Sequence, residues 1–159
     1  MNKTLKIYII ALICLFLIVD YSHAAGLRTH FVEVRMDNIE PGRTYSVKET
    51  AKKPFIIENV AKKAVVNIEI TPERPASYNL TAGYEPIPDL SWIALEKSYF
   101  ENVGPGGKIE TDIHVTIPEK KEYYGSKYEA YLYSHTVGKT GYKTGLMSRL
   151  LIETAKYPE

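Results

Sequence analysis

The chain has 159 residues, with 20 Lys and Arg against 19 Asp and Glu, a single cysteine and 45% hydrophobic residues. That length allows one domain with at most a short appendage. The near-zero net charge leaves no overall field to draw nucleic acid or an acidic membrane surface, so neither is the expected partner.

Residues 1–24 read as a secretory signal peptide. Lys3 and Lys6 form a basic start, Ile7 to Val19 is an unbroken run of 13 apolar residues, and Ser22-His23-Ala24 offers small residues at −3 and −1. Thirteen apolar residues are short for a bilayer core of about 30 Å, and Asp20 follows the run at once, which weighs against an uncleaved anchor. Removing Lys3 and Lys6 from 20 basic residues, and Asp20 from 19 acidic ones, leaves 18 of each. Cys14 lies inside the leader, preceded by Ile13 and followed by more of the apolar run, which does not suit lipidation. The mature chain, residues 25–159, is thus an exported, cysteine-free domain whose core must suffice without disulfides.

In the mature chain, Phe31 to Met36 predicts a first strand with Val32, Val34 and Met36 on one side. A turn at Glu40-Pro41-Gly42-Arg43 separates it from an alternating Thr44 to Lys48. Strands follow at Phe55 to Asn59 and Val65 to Ile70, the second preferred over a helix for its β-branched residues and flanking prolines. Pro72, Pro75, Pro86 and Pro88 break the pattern up to Asp89, a span long enough to conceal a short strand at Tyr78-Asn79-Leu80-Thr81. That span also carries the sequon Asn79-Leu80-Thr81, a surface-loop signal. Leu90 to Leu95 reads as a strand, with Trp92 as a core anchor.

The clearest pattern is Ile109 to Ile117. Ile109, Thr111, Ile113, Val115 and Ile117 share one parity, while Glu110, Asp112, His114 and Thr116 share the other, as on a sheet with one dry face. Gly104-Pro105-Gly106-Gly107 starts this strand and Pro118 stops it. Tyr128 to Tyr133 continues the series with Tyr128, Ala130 and Leu132 inward. Gly138, Gly141 and Gly145 mark a hairpin loop, and Leu146 to Glu153 is the last strand. About seven to nine short strands separated by Pro/Gly turns predict an all-β fold, an antiparallel immunoglobulin-like β-sandwich.

The segment Gly125-Ser126-Lys127-Tyr128-Glu129-Ala130 resembles the tyrosine corner of immunoglobulin-like domains, with Ala130 in the place of the second cysteine. With the Pro41-Gly42 turn, Ser91-Trp92-Ile93 and the Gly104 to Gly107 turn, the region from Phe31 to Glu153 resembles exported bacterial Ig-like envelope modules. More distantly it is similar to the first domain of periplasmic pilus-assembly chaperones. That resemblance implies a strand edge lent to an exported subunit, although no second Ig-like domain and no matching basic pair are found.

Catalytic and metal motifs are lacking. His114 with Asp112 and Glu110 would need a third ligand such as His135 from another strand, and an outward polar face accounts for them. The serines have no nucleophile-elbow context, the Gly-rich turn precedes a strand rather than a phosphate-binding helix, and no cofactor motif is present. Tyr131 and Tyr133 instead share an outer strand face, where large rings with polar tips suit partner contacts. The loop tyrosines Tyr78 and Tyr84, and the hairpin residues Lys139, Tyr142 and Lys143, extend this candidate surface.

The last strand is apolar on both faces: Met147 and Leu151 oppose Leu146, Leu150 and Ile152. Either the first strand covers it, or it offers an edge for strand addition. The resulting expectation is a non-enzymatic, exported binding or structural module of the cell envelope or extracellular space, taking a protein or cell-surface polymer and no cofactor. A periplasmic chaperone-like accessory is the alternative and a small secreted hydrolase stands third. Edge pairing would also permit homo-oligomers, and membrane contact would come only through an uncleaved leader.

Overall fold

The computed structural model describes residues 26–138 and 144–159. Among these described residues, twelve strand segments, one short helix and three single 3-10 turns follow in order. They begin with β1 (Leu27–Thr29), β2 (Glu33–Ile39), β3 (Thr44–Ser46), the helix α1 (Val47–Ala51), β4 (Phe55–Asn59) and β5 (Val66–Glu73). A 3-10 turn at Ser77–Asn79, β6 (Glu85–Pro86), a second 3-10 turn at Leu90–Trp92, β7 (Ile93–Leu95) and β8 (Tyr99–Val103) come next. The remainder is β9 (Lys108–Thr111), β10 (Ile113–Thr116), a 3-10 turn at Lys121–Tyr123, β11 (Lys127–Val137) and β12 (Gly145–Thr154).

The large sheet runs β2-β12-β11-β5-β8, with β6 lying beside β11, and is faced by two small sheets, β1-β4-β9 and β3-β10-β7. Pairing is antiparallel except for β2 with β12 and β6 with β11. The core between the layers joins Phe55, Ile57, Ile113 and Val115 from the small sheets to Met36, Ala130, Leu132, Leu150 and Ile152 from the large one. This is an immunoglobulin-like β-sandwich. The segments outnumber the expected seven to nine because β1, β6 and β8 were not expected as strands and the run from Ile109 to Ile117 is divided in two.

The run from Ile109 to Ile117 keeps its expected parity, all five inward residues being buried, but it is not one strand. It breaks at Asp112: Thr111 pairs with Phe55 of β4, whereas Ile113 pairs with Leu95 of β7. The Asp112 carboxylate accepts hydrogen bonds from Ser46 Oγ, from Lys48 N at 3.1 Å and from Ile113 N at 2.8 Å, so a side chain replaces the ladder where the chain changes sheets. The same contacts explain why Thr44 to Lys48 is strand only to Ser46. The Ser46 hydroxyl also accepts from Glu49 N at 3.1 Å and caps α1.

Burial disfavours the Asp112 charge, but the bonds from Ser46, Lys48 and Ile113 outweigh it and hold the carboxyl below its ordinary range. A depressed folded-state pKa gives stability that is present above the unfolded value of about 3.9 and is lost as pH falls through the folded one. Asp112→Asn is therefore expected to melt below the wild type at pH 7, with the gap closing below roughly pH 4. Thermal melts across pH 2.5–7 check this.

Three other expectations are corrected. Val32 is 66% exposed rather than inward. The chain crosses from the β1 sheet to the large sheet here, and Phe31 takes the interior place, packed edge-on against Phe55 with centroids 4.8 Å apart. Tyr78 to Thr81 is no strand: Ser77–Asn79 is a 3-10 turn, and the concealed strand is β6, paired with Tyr128 and Glu129. Leu90 to Trp92 is likewise a 3-10 turn, started by Asp89 Oδ1 accepting from Ser91 N at 2.8 Å. Trp92 is still a core anchor, with Tyr123 and Tyr128 edge-on at 4.9 and 5.8 Å. Tyr128 and Ala130 are both buried in the core, and burial pushes the Tyr128 phenol above its ordinary range.

Candidate partner-binding surface

The outer face of the large sheet is divided in two by the segment 74–86, which folds back across it. Glu129 of β11 lies beneath this strap, fully buried. Its Oε2 accepts from Thr81 N at 2.7 Å, while Oε1 has no hydrogen bond and faces Arg149 Nε at 3.4 Å. Beyond it, Tyr84 OH donates to Glu153 Oε1 at 2.6 Å, and Tyr131 OH donates to Asn79 O at 3.1 Å. Burial first, and then the bond to Glu153, push the Tyr84 phenol up to about 12. The hydrogen bonds from Tyr84 and Lys127 hold the Glu153 carboxyl below its usual range.

The other half of the face is open. The registers place Glu33, Arg149, Tyr131 and Glu73 in one row across β2, β12, β11 and β5. Met147, Tyr133 and Thr71 form the next row, then Gly145, His135 and Glu69. Paired residues point to the same side of a sheet, so these side chains make one surface. Val32, Glu33, Asn79, Tyr131, Met147 and Arg149 line a shallow groove of about 390 Å³ at its corner. Tyr78, next to the groove wall, is 86% exposed and Met147 45%. Tyr133 stacks on His135 with centroids 4.8 Å apart and crosses over Gly145, where a Cβ would come within 2.6 Å of its ring.

Of the candidate contact residues, the groove unites Tyr131 and Met147, with Tyr133 and Tyr78 at its margins. Tyr84 is 8% exposed and Leu151 0%, so neither ring nor side chain is a contact surface. The strap covers that part of the sheet, and the first strand contributes differently, by pairing edge to edge as β2. Lys139, Tyr142 and Lys143 lie outside the described residues. Val32, Glu33, Asn79 and Arg149 were missed. Arg149 could have been found as the polar residue between Met147 and Leu151 on one parity, but nothing local marks the other three.

Pairing of β2 with β12 starts at Glu33 and Arg149, so among the described residues Gly145–Ser148 has no strand on that side. Arg149 N donates outward to Val32 O at 2.8 Å, and Thr136 N donates to Thr144 O at 2.8 Å across the hairpin. Backbone groups alternate along a strand, so those of Gly145 and Met147 point to the open edge. The other end of the sheet is less accessible to a partner strand: β5 and β8 pair with a register shift, and Asn102 adopts a φ of 55°.

Among the described residues no three His, Cys, Asp or Glu side chains converge as metal ligands, and no helix is long and apolar enough to cross a membrane. His114 lies 3.9 Å from Asp112, Glu110 is taken by Lys48 at 2.6 Å, and His135 belongs to the opposite layer, 3.5 Å from Glu69.

No protein-family model matches the chain, and no curated protein matches its sequence. Among solved structures it is similar to PapD-like domain 7 of human CEP192, an ASH/PapD-like domain, at 13% identity and TM-score 0.54, covering 86% of this chain and 89% of that one. A candidate carbohydrate-binding protein of Bacteroides ovatus aligns at 9% identity and TM-score 0.53 over 81% of this chain, which spans 37% of that protein. The class 5 fimbrial chaperone CfaA aligns at 12% identity and TM-score 0.48, covering 84% of this chain and 57% of that one. At such identities the likeness is one of fold. The chain has an immunoglobulin-type β-sandwich, similar in fold to that PapD-like domain.

Proposed function

We propose that the chain is an exported, non-catalytic binding module whose partner, a protein or cell-surface polymer, seats on the open half of the large sheet. The observation that carries this reading is the groove, where exposed Val32 and Met147 flank Tyr131 and Arg149. Apolar side chains, a tyrosine and an arginine around a concave surface are the composition that interface cores favour. Residues 1–24 act as its secretory leader, and its place of work is the periplasm, the cell surface or the extracellular space. In an envelope extract of the source cells, the purified domain should retain one partner. Tyr131→Ala and Met147→Ala should each weaken that complex by about 1–2 kcal/mol, the range of a contributing interface residue, without moving the melting curve. Retention at wild-type strength by both variants would place the interface elsewhere.

A second reading rests on the open edge at Gly145–Ser148: a chaperone-like accessory that adds this edge to an exported subunit. Met147→Pro tells the two apart. It removes an edge-facing N–H without touching the β11 ladder, so it should abolish strand addition, whereas Met147→Leu should not.

A further inference from the structure

On the opposite layer, the outer face of the β1-β4-β9 sheet carries a second concavity of about 190 Å³, bounded by the start of β1, by Lys53-Pro54 and by β4 and β9. Its floor is apolar, built from the half-buried Pro54 and Ile56 with the core ring of Phe31 beneath them. Its rim is cationic: Arg28, Lys53 and Lys108 stand around a single carboxylate, Glu58, with His30 beside them. Arg28 Nη2 already holds Glu58 at 2.8 Å, and the bond from Arg28, with the nearby Lys108 and His30 charges, keeps that carboxyl below its ordinary range. Glu110, which shares this face opposite Ile56, is engaged by Lys48. Among the described residues neither Lys53 nor Lys108 makes an ion pair within 4.0 Å; Lys108 stands across the β4–β9 pair from Glu58, and Lys53 Nζ stands 5.8 Å over the Phe31 ring. The positive surplus is local, since the whole chain carries a formal charge of only +1.

We infer that this cavity binds a small organic acid, its apolar body on Pro54 and Ile56 and its anionic head between Lys53 and Lys108. The volume lies below the roughly 300–1,000 Å³ typical of pockets for drug-sized ligands, which limits the occupant to one ring or a chain of a few carbons. An apolar floor alone would take a neutral ring equally well. A cationic rim alone would take any anion. The two together select a molecule with both properties.

Benzoate tests this, with benzamide as its neutral counterpart and inorganic phosphate as an anion without an apolar body. Titrated into the isotopically labelled mature chain, benzoate should give saturable amide shifts at Arg28, Ile56 and Lys108, with benzamide and phosphate each at least about tenfold weaker, the cost of losing one of two recognition elements. Lys53→Ala and Lys108→Ala should each raise Kd roughly two- to fivefold, the size of a solvent-exposed charge pair, and Glu58→Gln should lower it. Unchanged melting temperatures will show that the variants fold. Equal binding of benzamide would reduce the site to an apolar dent, and equal binding of phosphate to a patch of lysines. Absence of saturable shifts, or a Lys53→Ala/Lys108→Ala double variant with wild-type Kd, would overturn the assignment.

Discussion

Replacing Asn59 by alanine is expected to lower the unfolding free energy by about 3–5 kcal/mol, because it orphans several buried backbone groups together. Asn59 is fully buried at the end of β4. Its amide nitrogen lies within hydrogen-bond distance of Ala64 O, Val103 O and Gly104 O, at 2.8, 2.9 and 3.1 Å, and its Oδ1 accepts from Ala61 N at 3.0 Å. The backbone adds Asn59 N to Gly107 O at 2.9 Å and Gly106 N to Asn59 O at 2.8 Å. One side chain therefore ties the β4–β5 connection to the β8–β9 turn. Removing it leaves carbonyls and an N–H in a site too enclosed to hydrate freely. Urea unfolding measures the loss. Asn67→Ala, which gives up bonds to Tyr99 OH and Asn102 N at an exposed edge, is the control, expected to cost about 1 kcal/mol. Equal midpoints for the two variants would show that the Asn59 bonds are not what holds the turns.

The second large effect separates residues that a strand pattern treats alike. Met147 and Leu151 share one face of β12, yet Leu151→Asp should cost about 4 kcal/mol or more, enough to unfold much of the population of a marginally stable domain. Met147→Asp should stay within about 0.5–1 kcal/mol. Leu151 is 0% exposed, opposite the buried Glu129, in the part of the sheet that the strap covers. A second carboxylate there would face one already buried across the β11–β12 pair, and Arg35, its neighbour on β2, already stands 3.8 Å from Glu153. Denaturation monitored by tryptophan fluorescence is the check, since Trp92 is the only tryptophan and lies in the core. A folded Leu151→Asp protein would show that the strap detaches easily. Loss of a partner in that variant would report unfolding and say nothing about strand addition; Met147 is the residue at which the two functional readings can be compared.

Much of the framework was legible before any coordinates. Ile109, Thr111, Ile113, Val115 and Ile117 are all buried, as are Tyr128, Ala130 and Leu132, because alternation along a strand is a local property with a period of two. Prolines and glycines marked the turns for a similarly local reason, their restricted or relaxed φ. The candidate surface was legible in part. Tyr131 and Met147 fall on an outward parity, and the groove brings them together, whereas Tyr84 and Leu151 also looked outward and are covered.

What the sequence determined by itself, then, is a chain of short strands, most of them alternating with one dry face, enough for a β-sandwich and for most of its inward residues. The tertiary structure alone decided that the chain changes sheets at Asp112, that Phe31 rather than Val32 turns inward, and that the proline-rich segment closes over Glu129. Each depends on which distant segment becomes a neighbour: Ser46 for Asp112, Phe55 for Phe31, Thr81 for Glu129. Periodicity tells a residue which side of its own strand it occupies. Whether that side meets water or another part of the chain is settled by contacts far apart in sequence, which no local pattern encodes.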